Sequence, residues 1–146
     1  MVCQNKNPRY KSTFEFYNKA TQSVTSTAAP LTLLGSEVTN TGLALDVTTN
    51  GINVSYPGTF LLDVGIIFTA TTAGLVTLQL YSDGTALPET VTTVTVPVGA
   101  SLVSVSTIRK LTPTCQNPVN IQVYINTDGT AVGDVTKVAG YAVKLG

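Results

Sequence analysis

The sequence predicts an all-β domain, a two-sheet jelly-roll sandwich of about eight to ten antiparallel strands. Three observations predict it. Short apolar runs recur with a period of two, turn residues separate them at roughly 8 to 14 residue intervals, and helical spacing is nearly absent. The 146 residues amount to one domain, long enough to bury a core without disulfide or metal staples.

Each element has its own signal. Thr13 to Ala20 carries Phe14 and Phe16 in alternation, which favours a strand over a helical turn. Pro30 to Leu34 is a short apolar run ended by Gly35. Leu43 to Val47 runs into Asn50-Gly51, a hairpin turn because both residues tolerate positive φ, and Ile52 to Tyr56 returns as far as Pro57-Gly58. A long run, Thr59 to Thr69, follows. Leu75 to Tyr81 is closed by Asp83-Gly84, Val91 to Val96 stops at Pro97, and Leu102 to Leu111 stops before Pro113. Val119 to Asn126 is closed by Asp128-Gly129, and Val135 to Leu145 is the final run.

These strands are of two kinds. Val119 to Asn126 alternates strictly, as do Val76, Leu78 and Leu80 against Thr77 and Gln79, and Val94 and Val96 against Thr93 and Thr95. Such strands bury one face and wet the other. The run from Thr59 to Phe68 differs. Phe60, Leu62, Val64, Ile66 and Phe68 share one face, while Leu61, Gly65 and Ile67 share the other. Leaving Leu61 and Ile67 in water forgoes about 2 to 3 kcal/mol each. The sequence therefore predicts cover from a second subunit, with the chain's own leading segment as the alternative.

Composition narrows the function. Hydrophobic residues make up 43% and charged residues 11%, against about a quarter charged in an average soluble domain. So little charge implies that part of the surface is covered by something else. The formal net charge of zero argues against bulk electrostatic attraction to nucleic acid or to an anionic membrane. No apolar run approaches the roughly 18 residues of a spanning helix, and the opening Met1 to Lys6 has no signal-peptide core. The expectation is a mature chain made in a cytosol. Cys3 and Cys115 are read as unpaired thiols, too sparse for a disulfide scaffold.

Catalytic chemistry has little to stand on. The chain has no histidine, so the commonest general base and metal ligand is missing. Its carboxylates are scattered singly, with Asp83, Asp128 and Asp134 read as turn residues beside glycine. The Asp128 to Asp134 segment lacks the alternating acids and closing glutamate of a calcium loop. No enzyme activity, cofactor or metal is expected. Basic residues cluster instead: Lys6, Arg9, Lys11 and Lys19 are half of the eight in the chain. Residues 1–13 are read as a polar, basic arm, a mobile terminus or an anchor through Lys6, Arg9, Tyr10 and Lys11. Residues 14–146 are read as the jelly-roll domain.

Three stretches carry a family resemblance. Val54-Ser55-Tyr56-Pro57-Gly58-Thr59-Phe60-Leu61-Leu62-Asp63-Val64 resembles an entry of glycine, aromatic and long apolar strand. Val76 to Gly84 is similar to a following strand that ends in a polar residue and glycine. Ala139-Gly140-Tyr141-Ala142-Val143-Lys144-Leu145 resembles a closing strand. Together they resemble the jelly roll of tumour necrosis factor and the complement globular heads, in the short form found on phage head fibres and capsid decoration proteins.

The resemblance implies a compact homotrimer with one sheet of each subunit facing the threefold axis. With Tyr141, Val143 and Leu145 expected to face the core, the axial face would hold Leu61, Asp63, Gly65, Ile67, Ala142 and Lys144, including an Asp63–Lys144 ion pair within or between subunits. It further implies a virion structural protein on the capsid surface, attached to a capsid or other virion protein through the arm, and binding host-surface glycans weakly. One alternative is a receptor-binding tip of a phage tail or baseplate, with the loops Ser82 to Pro88 and Thr127 to Asp134 on sugar. Another is a bacterial surface or spore-coat trimer.

Overall fold

The computed structural model describes residues 13–35, 37–41 (backbone only), 45–114 and 116–146. Lys6, Arg9, Tyr10 and Lys11 of the expected anchor lie outside the described residues, as do Cys3 and Cys115. The strands are β1 Thr13–Asn18, β2 Gln22–Ser23, β3 Ala29–Pro30, β4 Glu37–Thr41, β5 Leu45–Thr48, β6 Gly51–Val54 and β7 Gly58–Thr72, then β8 Gly74–Ser82, β9 Thr85–Ala86, β10 Thr92–Val96, β11 Gly99–Leu111, β12 Val119–Thr127 and β13 Val132–Lys144. One 3₁₀ turn, Pro88–Thr90, precedes β10.

They form two antiparallel sheets. The first runs β11-β7-β13-β1-β4, with β2 beside β13; the second runs β10-β8-β12-β6-β5, with β3 on β12 and β9 on β8. Neighbours in each sheet are mostly distant in sequence, as a jelly roll requires. The sheets pack face to face. Phe14, Phe16, Phe60, Leu62, Val64, Ile66 and Phe68 come from the first, and Ile52, Val54, Leu78, Leu80, Ile121 and Val123 from the second, all buried. The β5–β6 hairpin forms as expected, but its turn residues are Thr49 and Asn50; Gly51 already belongs to β6 opposite Thr48, and neither Asn50 nor Gly51 takes the positive φ expected of them. Asp83 (φ 50°) and Gly84 (φ 81°) take the left-handed conformations that the turn after β8 needs.

Several expectations are corrected. Pro30 to Leu34 is not a strand beyond Ala29–Pro30, although Leu31 and Leu33 are buried as a strand's residues would be. Their N–H groups donate singly, to the Val123 and Thr49 carbonyls, each at 2.8 Å. Isolated bonds satisfy a buried backbone without a continuous ladder. Asp134 is not in a turn; it sits in β13 opposite Thr69 and Ser23.

The largest correction concerns the facing of β13. Its register against β7 slips between Val135, opposite Phe68, and Lys137, opposite Ile67. The extra residue, Thr136, is a β-bulge, and it inverts the inside–outside alternation for the rest of the strand. Val138 and Ala142 consequently point into the core at 0% exposure, and Lys144 is also buried at 4%. Ala142 and Lys144 therefore do not share a face with Leu61, Asp63, Gly65 and Ile67. Lys144 lies along Gly58, on the opposite side of the sheet from Asp63, so the expected Asp63–Lys144 pair does not form within the chain.

Candidate assembly face

The outer face of the first sheet is the candidate functional surface. Cα partners in antiparallel strands point to the same side, so the registers assemble it row by row. Ile108, Leu61, Val143 and Thr13 form one row; Ser106, Asp63, Tyr141 and Glu15 the next; Ser104, Gly65, Ala139 and Tyr17 the third; and Leu102, Ile67 and Lys137 the fourth. Two apolar bands thus flank a small and polar middle. Leu61, Asp63, Gly65 and Ile67 come together here as the sequence predicts, each half-buried.

Three apolar side chains stand out from it into solvent: Leu102 is 70% exposed, Ile108 65% and Tyr141 40%. Single exposed leucines are ordinary. A group of them on one sheet face, beside half-buried Leu61 and Ile67, is more than scattered single exposure. Sequence reading missed Leu102 and Ile108. The available signal was parity: along β11 the core residues Val103 and Val105 alternate with Leu102, Ser104, Ser106 and Ile108, so two large apolar residues fall on the wet side. Tyr141 and Val143 were missed because the bulge reversed them.

The middle rows form a groove of about 550 Å³. Gly65 and Ala139 give it a low floor, and Tyr17, Leu102 and Tyr141 stand around it. Two carboxylates reach it, Asp63 and Glu15. The Tyr141 hydroxyl donates to Asp63 Oδ2 at 3.4 Å, a long and weak bond. At the upper end Lys137 Nζ lies 4.8 Å and Lys19 Nζ 5.5 Å from the Tyr17 ring centre, within cation–π range. Among the described residues no cluster of three or more histidine, cysteine or acidic side chains is placed to hold a metal. Nor is any helix long and apolar enough to cross a membrane.

No protein-family model and no curated protein sequence matches the chain. Solved structures do. Murine APRIL at pH 8.5 superposes with a TM-score of 0.62 at 15% identity, covering 93% of this chain and 100% of that one. The same protein at pH 5.0 gives 0.63 at 15% identity, with the same coverage. The PRD1 vertex protein P5 gives 0.63 at 13% identity, over 92% of this chain and 97% of its own. The chain has a tumour-necrosis-factor-like jelly roll. The fold is shared with that vertex protein. At these identities the likeness is one of fold.

Proposed function

We propose that the protein is a virion structural module: a homotrimer on the capsid, as a decoration or head-fibre protein, held by its N-terminal arm and doing no catalysis. The observation that carries this reading is the outer face of the first sheet. Leu102, Ile108, Leu61, Ile67 and Tyr141 lie together on it, and no described segment of the chain covers them fully. Burying Leu102 and Ile108 against another copy stabilises the assembly by about 1.5 to 3 kcal/mol for each side chain. The fold-level likeness to a vertex protein supports the virion setting.

Mass in solution tests the assembly. The intact chain is expected at three times its 15.2 kDa, and Leu102→Lys or Ile108→Lys at one times that mass with an unchanged circular dichroism spectrum. A monomeric parent, or a variant that remains trimeric, sinks the reading. The arm is tested separately. Removing residues 1–12 is expected to leave the trimer intact and abolish attachment to particles, because Lys6, Arg9, Tyr10 and Lys11 are proposed to make that contact.

A further inference from the structure

The outer face of the second sheet differs in chemistry from that of the first. At its centre Tyr81 and Tyr124 stack across adjacent strands, ring centres 3.7 Å apart and planes within 12°. Gln122 is opposite Tyr81, and Gln79 is opposite Tyr124, so two rings occupy one diagonal of a square and two amides the other. Each amide is held by one end only. Gln79 Nε2 donates to the Leu87 carbonyl at 3.1 Å, and Gln122 Oε1 accepts the Gly84 N–H at 3.1 Å. Beyond Gln122, Asn120 Nδ2 donates to Asn53 Oδ1 at 2.8 Å. These side chains are all half-buried, and the strand positions of this face, Thr77, Thr93, Thr95 and Asn126 included, carry no lysine or arginine.

From this the geometry points to a binding site for a neutral oligosaccharide at the Tyr81–Tyr124 pair. A cross-strand aromatic pair stabilises a hairpin by itself, but it does not call for pinned amides at both remaining corners. With one end of each amide engaged, the Gln79 carboxamide oxygen and the Gln122 carboxamide nitrogen are the ends left for a ligand, one acceptor and one donor. Donor and acceptor beside an apolar ring match the hydroxyls and the C–H face of a pyranose. The absence of cationic side chains rules against an anionic ligand such as a nucleic acid or a sulfated glycan. Pre-ordered side chains lower the entropic cost of binding. The inference is independent of the assembly reading, since it uses the opposite face of the sandwich.

Saturation-transfer NMR on the full chain tests it, with maltohexaose and N-acetylglucosamine tetramer as neutral probes and a heparin tetrasaccharide as the anionic one. The expected result is transfer to a neutral probe and none to heparin, with binding about tenfold weaker in Gln79→Ala and in Gln122→Ala. Those two variants leave the core and the ring stack in place, so they report on the site even if Tyr124→Ala does not fold. Leu102→Lys, on the far face, is expected to bind as the parent does. Silence from both neutral probes at about 10 mM, stronger binding of heparin, or binding that survives both glutamine variants overturns the proposal.

Discussion

Asp128 shows how one carboxylate organises a turn. Its Oδ1 accepts the N–H of Thr130 at 2.9 Å and of Ala131 at 3.0 Å. These bonds, Ala131's first, hold its carboxyl below the usual aspartate value, with desolvation opposing weakly. A depressed folded-state pKa means that the stabilisation is complete above the unfolded-state pKa and fades as the pH falls through the lower, folded value. Asp128→Ala is therefore expected to lower the urea midpoint at neutral pH, and the gap to the parent is expected to close in acid. A gap constant across the pH series would assign the effect to something other than this charge. Gly140 answers to space instead. A Cβ there would lie 2.6 Å from Phe16 Cζ, and Phe16 is 2% exposed and cannot give way. Gly140→Ala is expected to cost about 1 to 3 kcal/mol by denaturant unfolding. Gly65→Ala, whose Cβ would meet nothing nearer than 3.6 Å, is expected to leave the subunit's stability nearly unchanged.

Within one element, β13, a single inserted residue decides which side chains the molecule shows to its surroundings. Thr136 is held in the bulge by its hydroxyl, which lies 3.3 Å from that of Thr69 and donates to the Ile67 carbonyl at 3.4 Å. Deleting Thr136 forces either Val138 and Ala142 outward or the strand out of register. The expected loss is about 3 kcal/mol or more, read as a lowered thermal midpoint or as insoluble protein. A fully stable deletion variant would mean that the bulge does not set the register. The same feature explains what could be read in the sequence and what could not. Strands with strict alternation, such as β8 and β12, were legible because one face meets the core and the other water. So was the doubly apolar β7. On β13 the outward Tyr141 and Val143 are as apolar as the inward Val138 and Ala142, so hydrophobicity carried no parity signal and nothing local announced the bulge. The short strands β2 and β9 were illegible for a different reason. Two residues cannot display a period.

At the scale of the whole molecule, the sandwich has two outer faces of opposite character, and the thermodynamics of assembly can tell which one associates. The first sheet shows leucine, isoleucine and tyrosine around a small-residue groove; the second shows mostly threonine, asparagine and glutamine around a tyrosine pair, with Leu75 its one large exposed aliphatic side chain among the described residues. Water is a good solvent for the second face and a poor one for the first, so association should bury the first. Folding of a trimer is linked to protein concentration, because subunit binding stabilises the native state by mass action. The thermal midpoint of the parent is therefore expected to rise over a hundredfold increase in chain concentration. The double variant Leu102→Ser, Ile108→Ser removes the protruding apolar groups while leaving Val103 and Val105 in the core. It is expected to unfold at one midpoint whatever the concentration, and below the parent's at every concentration at which the parent is trimeric. The matching change on the other face, Gln79→Ala with Gln122→Ala, is expected to keep the parent's concentration dependence. If the glutamine variant lost that dependence and the leucine–isoleucine variant kept it, the associating face would be the second sheet.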